Sequence, residues 1–506
     1  MSGRWRAVDS SPNLERPIPD RAHASVKPVL KPLLDATALF LQRHPGVLRT
    51  GLTLAQRILP RRASRQLIVS QSAVAETFRR AEVLQMGHLN APKLKLGTFL
   101  LGMDPPDERY AFEKQALTAA LVEAPVLAAR FARVDAEHTA RALASQRTGH
   151  ALELGASYAQ AVYARALGHA FGVPARGAPC PGFGSKQDPE PLARYIQVLG
   201  GTIGSDHPAP FGLEGRALEV APYFREHLIH ALAAHRDGSI RAHLPSYASA
   251  PAPQVAQTVL GQLLATHPFR DGDEGILRNV AGMLSASASF PYVFSSILHE
   301  LLRRPEHMRR FARALIDGDE AQVLAYAREA LRFRPPFPML VRFCPHHARL
   351  AATSAVLERG AQVPFFPAAA MFDVERPHEL DVARPESSYF LFGGAPRECV
   401  GKDLITSLFM PLFRGLALHL PEVFEAAPGR FRFAGPTLAG YTLELPAQLS
   451  YALRPAVSVR PESRPVYALE PLDALPALPP LAADDLHVTE EHEPGLRGSC
   501  VPDPVN

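Results

Sequence analysis

The chain has 506 residues, 47% hydrophobic and 21% charged, with a formal net charge of +4. That is ordinary globular usage on a chain long enough to bury a sizeable core. The arginines are scattered in short clusters such as Arg61-Arg62 and Arg303-Arg304, so the continuous basic stripe of a nucleic-acid binder is missing. Cys180, Cys344, Cys399 and Cys500 form no CxxC pair and no His/Cys cluster, which argues against zinc and against a secreted disulfide scaffold, and points to a reducing cytoplasm.

The first residues, MSGRWRAVDSSPNLERPIPD, contain no apolar core of a signal peptide. A membrane span needs about 20 mostly apolar residues; Ala36 to Leu41 is too brief and Leu404 to Leu420 is interrupted by Arg414. A soluble protein without a membrane span is expected.

In chain order, 1–25 reads as an unstructured lead, and about Val26 to Leu59 as one or two helices between prolines. Leu67-Ile68-Val69 predicts a short strand followed by a helix, and Glu108 to Arg147 predicts alanine-rich helix. The Gly/Pro-rich 172–190 reads as a loop, and Leu192 to about Arg236 as helical again. The longest candidate helix, Gly275 to Arg304, would extend about 45 Å, with a kink at Pro291. A helix ending near Arg334, an extended PPFPMLVRF, strand-like runs to about Phe366, a helix from Lys402 to Leu418 and a hairpin over Tyr441 to Leu453 complete the pattern. Residues 454–506 are rich in Pro, Leu, Asp and Glu without period and read as a disordered tail. The expectation is a mainly α single domain with minor β over 26–453.

The chemistry concentrates in Phe390-Leu-Phe-Gly-Gly-Ala-Pro-Arg-Glu-Cys-Val-Gly-Lys-Asp-Leu404. Glycines let backbone N–H groups approach the Cys399 sulfur, and a helix beginning near Lys402 would favour a thiolate. Taken alone, the loop also fits a buried structural cysteine after a glycine-rich turn.

The segment resembles the cytochrome P-450 signature F-x-x-G-x-R-x-C-x-G, with Phe392, Arg397, Cys399 and Gly401 in register and Ala395 in place of a glycine. Glu329-Ala-Leu-Arg332 resembles the family's E-x-x-R, whose i, i+3 pair shares one helix face. Arg384 stands where that network takes its third member, Arg342 where the family places a propionate partner, and Lys114 where its C helix offers another.

The resemblance, spanning about Leu67 to Leu453, implies a cytochrome P-450 fold and a single heme domain. It implies heme b on Cys399 as metal ligand, with Phe392 packed on the porphyrin, Arg397, Arg342 and Lys114 on the propionates, and Gly401 in the loop. It also implies a monooxygenase that inserts oxygen into a small apolar substrate, such as a lipid or secondary metabolite, with a ferredoxin or flavodoxin-type reductant supplied from outside.

The family's distal helix usually carries an acid and an alcohol that relay protons; counting back from Pro305 puts Ala288 at the acid position and Ser289 at the alcohol. Whatever the register, Ile276 to His299 contains no Asp, Glu or Thr. Two alternatives therefore stand beside the monooxygenase. One is a peroxygenase or isomerase of fatty-acid hydroperoxides, supported by a loose likeness to the P-450 halves of dioxygenase-linked oxylipin enzymes. The other is a catalytically idle heme protein. Arg278 reads as a helix-surface residue, and Asn279 is open between surface and pocket. Cys344 reads as core, Cys500 as incidental and His346-His347 as a solvated turn. Substrate and oligomeric state are not encoded in any pattern found.

Overall fold

The computed structural model describes 68–446 apart from short internal stretches, the longest being 86–95, 176–190, 204–212 and 245–253. The expected lead at 1–25, the helices at 26–59, most of the 172–190 loop and the tail at 454–506 lie outside the described residues.

Helices dominate. They are α1 (Gln71–Arg79), α2 (Glu108–Ala120), α3 (Ala124–Gln146), α4 (Ala161–Phe171), α5 (Pro191–Ile203), α6 (Leu213–Arg236), α7 (Ile240–His243), α8 (Val259–Thr266), α9 (Asp273–Ala286), α10 (Phe290–Leu302), α11 (Pro305–Asp317), α12 (Glu320–Phe333), α13 (Pro367–Ala370), α14 (Lys402–Ser407) and α15 (Phe409–His419). Their ends follow local chemistry. Asp107 caps α2 through the Arg109 N–H, and α11 opens on Pro305 and closes on Gly318 in the left-handed region (φ 76°).

Strand is minor. β1 (Ala151–Glu153), β7 (Thr437–Glu444) and β6 (Arg430–Ala434) form one antiparallel sheet in the order β1-β7-β6. β2 (Leu340–Phe343) pairs with β5 (Gln362–Phe365), and β3 (Ala348–Arg349) with β4 (Val356–Leu357). Of the expected strand at Leu67–Val69 only Ile68 lies among the described residues, and it bridges Phe365. The hairpin expected over Tyr441 to Leu453 lies earlier. Tyr441 to Glu444 does alternate as a half-buried strand, but its partner is Arg430–Ala434, upstream.

The long central helix is α9 and α10 joined by a 3₁₀ turn, Ser287–Ser289. Pro291 has no N–H to give the Ser287 carbonyl, which accepts from Phe290 instead, and the Ser287 hydroxyl turns back to the Leu284 carbonyl. The helix expected to kink at Pro291 is thus interrupted by a 3₁₀ turn just before the proline. Among the described residues Asp273–Leu302 is the one helical stretch long and apolar enough to cross a membrane, and 78% of its apolar window is buried inside the fold, as in a core helix. Aromatic stacking seats it: Tyr163 of α4 lies on Phe290 (3.9 Å) and Phe294 on Phe413 of α15 (4.5 Å).

Behind this core, Glu329 and Arg332 of α12 are fully buried and paired through two hydrogen bonds of 2.9 Å. Arg384 adds a third bond to Glu329 (3.2 Å), Tyr389 a fourth through its hydroxyl (2.8 Å), and the Asp381 N–H a fifth (2.9 Å). Arg332 also donates to the carbonyls of Pro377 and Glu379. The expected i, i+3 pair is thus a buried anchor for the segment that leads to the Cys399 loop; Tyr389 was not foreseen. Replacing Glu329 with Ala removes the one carboxylate that, among the described residues, bonds Arg332 and Arg384, a break that costs about 3–5 kcal/mol. Thermal melting of Glu329→Ala should show a large fall, and a melting point equal to wild type would mean that the network contributes nothing.

Candidate functional site

The Cys399 loop is built by short-range hydrogen bonds: Cys399 N–H to the Phe392 carbonyl (2.9 Å), Arg397 N–H to Gly394 (2.8 Å), and Lys402 N–H to the Cys399 carbonyl (3.2 Å). Gly393 sits at φ 79°, a conformation side chains resist, and a Cβ on Gly394 would stand 3.2 Å from Phe78 of α1. Phe78 is therefore pressed against the loop, and its ring meets Phe365 of β5 edge-on at 5.3 Å. From the far end, Lys402 bridges Glu386 (2.8 Å) and Glu398 (3.1 Å), fixing the start of α14.

Cys399 has exposed surface, yet burial is the largest influence on its thiol and raises its pKa; the Gly401 N–H and Lys114 pull the other way. Both observations hold for a sulfur deep in the protein that faces a crevice. On α9, Ala286 is exposed while Ser285 and Ser287 on either side are buried. Tyr163 links this stretch to Cys399. Its buried hydroxyl lies beside Ser287, closes no hydrogen bond, and is within electrostatic reach of Cys399.

The structure brings Cys399, Arg397, Phe392, Gly401 and Lys114 together. Tyr110 (3.0 Å) and Lys114, one turn apart on α2, both donate to the Pro396 carbonyl. Burial lowers the Lys114 pKa, Arg397 nearby lowers it further, and Glu398 and Cys399 oppose the shift. Arg397, with its side chain largely covered, pairs with Asp104 and donates to the Met103 carbonyl (3.2 Å), but its buried Nε–H has no acceptor. Arg342 reaches the loop less directly. It is buried in β2 with its guanidinium 5.2 Å from the Phe365 ring, which in turn packs on Phe78.

These residues fit a heme. A buried arginine N–H without an acceptor suits a carboxylate tail, the cations of Lys114 and Arg397 suit its charge, and the sulfur faces a crevice rather than a core. Among the described residues no group of three or more His, Cys, Asp or Glu offers another metal site.

Two distal expectations need revision. Ala288 meets α5: a Cβ on Gly200 would fall 2.2 Å from the Ala288 Cβ, so this half-buried side chain takes part in helix packing. Arg278 is no surface residue. It is 5% exposed, binds Glu113 through both guanidinium nitrogens (2.7 and 2.5 Å), and also meets Asp271 (3.0 Å). Asn279 is fully buried and donates to the same Glu113 (3.0 Å). Glu113 carried no signal in sequence, because a glutamate on a polar helix reads as solvated until its partner 165 residues away is known. Ser289 is half-buried in the 3₁₀ turn. Cys344 is buried and donates to the His346 carbonyl (2.8 Å), as its reading as core implied, while His346 and His347 are exposed.

No family model matches the chain. It is 26% identical over 177 residues to the Mycobacterium tuberculosis protein named "Putative cytochrome P450 137", an alignment covering 31% of this chain and 34% of that relative. The chain thus matches about a third of that relative's length. Solved structures are alike over far more. P450BioI, in complex with an acyl carrier protein carrying hexadec-9Z-enoic acid, superposes with TM-score 0.60 at 14% identity, covering 80% of this chain and 99% of that one. Epothilone B-bound cytochrome P450epoK gives 0.58 at 16% identity, covering 80% and 97%. CYP109B1 from Bacillus subtilis gives 0.57 at 14%, covering 78% and 99%. The fold is that of the cytochromes P-450, and the Cys399 loop, the Glu329–Arg332–Arg384 network and the partial sequence likeness all resemble that superfamily.

Proposed function

We propose that the protein is a heme-thiolate monooxygenase acting on a small apolar substrate, with electrons from an external ferredoxin or flavodoxin-type partner. The observation that supports this most is the setting of Cys399: a cysteine that keeps exposed surface while burial dominates its thiol, in a loop with the family's spacing, beside a buried arginine N–H that lacks an acceptor.

Cys399 would ligate the iron of heme b, and Arg397, Arg342 and Lys114 would hold the propionates. When bound, the group supplies the activation of an oxidant for oxygen transfer. The remaining work falls to side chains of this chain. The Gly401 N–H and Lys114 stabilise negative charge on the sulfur against its burial. Phe392 would pack on the porphyrin, and the exposed Ala286 would leave space on the distal side.

Protons pose a separate problem. The distal turn offers only the hydroxyls of Ser287 and Ser289, which pass on a proton received from water but do not supply one near neutral pH. Glu113 brings a carboxylate to α9, but Arg278, Asn279 and Arg109 occupy it. That shortage favours a second reading, in which a peroxide or fatty-acid hydroperoxide is the oxidant and no proton relay is required.

Arg397→Ala should keep the fold and lose heme during purification, measured as the ratio of heme to protein absorbance; full retention would remove Arg397 from the propionate site. The two oxidant routes separate in one comparison of product formed from a fatty acid by the wild type. With a surrogate reductase, coupling of reducing equivalents to product should be poor, and peroxide should support turnover at least as well. Tight coupling with dioxygen would eliminate the second reading, and failure of both routes would eliminate the enzyme.

A further inference from the structure

Helix α2 presents two neighbouring faces to two different parts of the site. Tyr110 and Lys114, at i and i+4, share one face and both donate to the Pro396 carbonyl in the cysteine loop. Arg109 and Glu113, also at i and i+4, share the adjacent face, where Glu113 meets the start of α9. A carboxylate accepts in about four directions, and each oxygen of Glu113 takes two donors. Oε1 accepts from Arg278 (2.5 Å) and Arg109 (3.2 Å), and Oε2 from Arg278 (2.7 Å) and Asn279 (3.0 Å).

Glu113 and Arg278 are 3% and 5% exposed, so the two-pronged contact is shielded from water and holds one geometry. Asn279 locks it further by donating also to the Gly275 carbonyl one turn back (3.0 Å). On the opposite side Gly97, at φ 73°, lets the chain pass close to Arg278; a Cβ there would be 3.1 Å from that of Arg278. One rigid helix thus ties the cysteine loop to the distal helix.

We propose that α2 is the strut that sets the height of α9 over Cys399, with Glu113 as the positioning residue on its distal face, so that the Glu113–Arg278 contact limits the size of ligand admitted between helix and sulfur. This rests on the reading of the Cys399 crevice as the heme site. The contact fixes the first turns of α9, and the 3₁₀ turn at Ser287–Ser289 follows two turns later on the same helix, so a loosened start moves the turn that sets Ser287 beside Tyr163, the side chain within electrostatic reach of Cys399.

The test is Glu113→Gln, in which one oxygen remains an acceptor, the charge is lost and Arg278 keeps Asp271. Hydrogen exchange on the purified full chain should rise over Asp273–Ser287 and stay unchanged over Phe390–Leu404. On the heme-loaded protein, titration with imidazole and with 4-phenylimidazole should show the larger ligand gaining several-fold in affinity relative to the smaller. Should this variant not fold, Arg278→Lys, which keeps the charge but not the two-pronged contact, is read in the same way.

Wild-type exchange with an unchanged affinity ratio would overturn the proposal. So would faster exchange throughout with both ligands weakened alike, since that is the pattern of a merely structural residue. A wild type that takes up no heme would instead remove the heme reading, and the exchange arm would still decide whether Glu113 holds α9.

Discussion

A thiolate in a protein interior is held against a desolvation penalty, and the architecture around Cys399 is arranged to meet it. Burial alone pushes the thiol toward its neutral form. The counterweights come from separate parts of the chain: an N–H from Gly401, the ammonium of Lys114 on α2, and a loop whose shape depends on Gly393 and on Phe78 pressing from α1. None of these acts unless the loop is held in place. That is the role of the buried Glu329–Arg332–Arg384 network with Tyr389, which fixes the preceding segment, and of Lys402, which ties the following helix back to Glu386.

The distal side follows a different logic. The proximal loop is held by charge; the middle of the distal helix is held by packing, with Tyr163 on Phe290, Phe294 on Phe413 and Ala288 against Gly200. Its charged contacts lie at the ends, Arg278 with Glu113 at the beginning and Glu300 with Arg304 and Arg334 at the finish. Between them stands an apolar wall with a few hydroxyls. Such a wall binds apolar molecules and excludes water, and it is a poor source of protons. The structure thereby connects an absence visible in sequence to a chemical consequence at the site.

Much of the proximal half was legible from sequence, because it depends on local spacing. Cys399 and its glycines lie within one loop, and Glu329 and Arg332 are one helical turn apart. The break in the central helix was legible too, since Pro291 cannot donate; its place was not, because the proline acts on the carbonyl four residues earlier. What escaped depends on distant partners. Arg278 looked like a surface residue because its buried partner, Glu113, lies 165 positions away. Ala288 was assigned by counting back along a helix, and counting does not show which neighbour a face meets. Tyr389 and Tyr163 had no motif. The hairpin was misplaced because alternation identifies a strand but not its partner.

The central claim is that Cys399 is the ligand of a heme iron. It is tested most directly by the absorption spectrum of the reduced protein under carbon monoxide, recorded for the wild type and for Cys399→Ala. The account predicts the band diagnostic of thiolate-bound heme in the wild type and its loss in the variant. The same band in both proteins would contradict it.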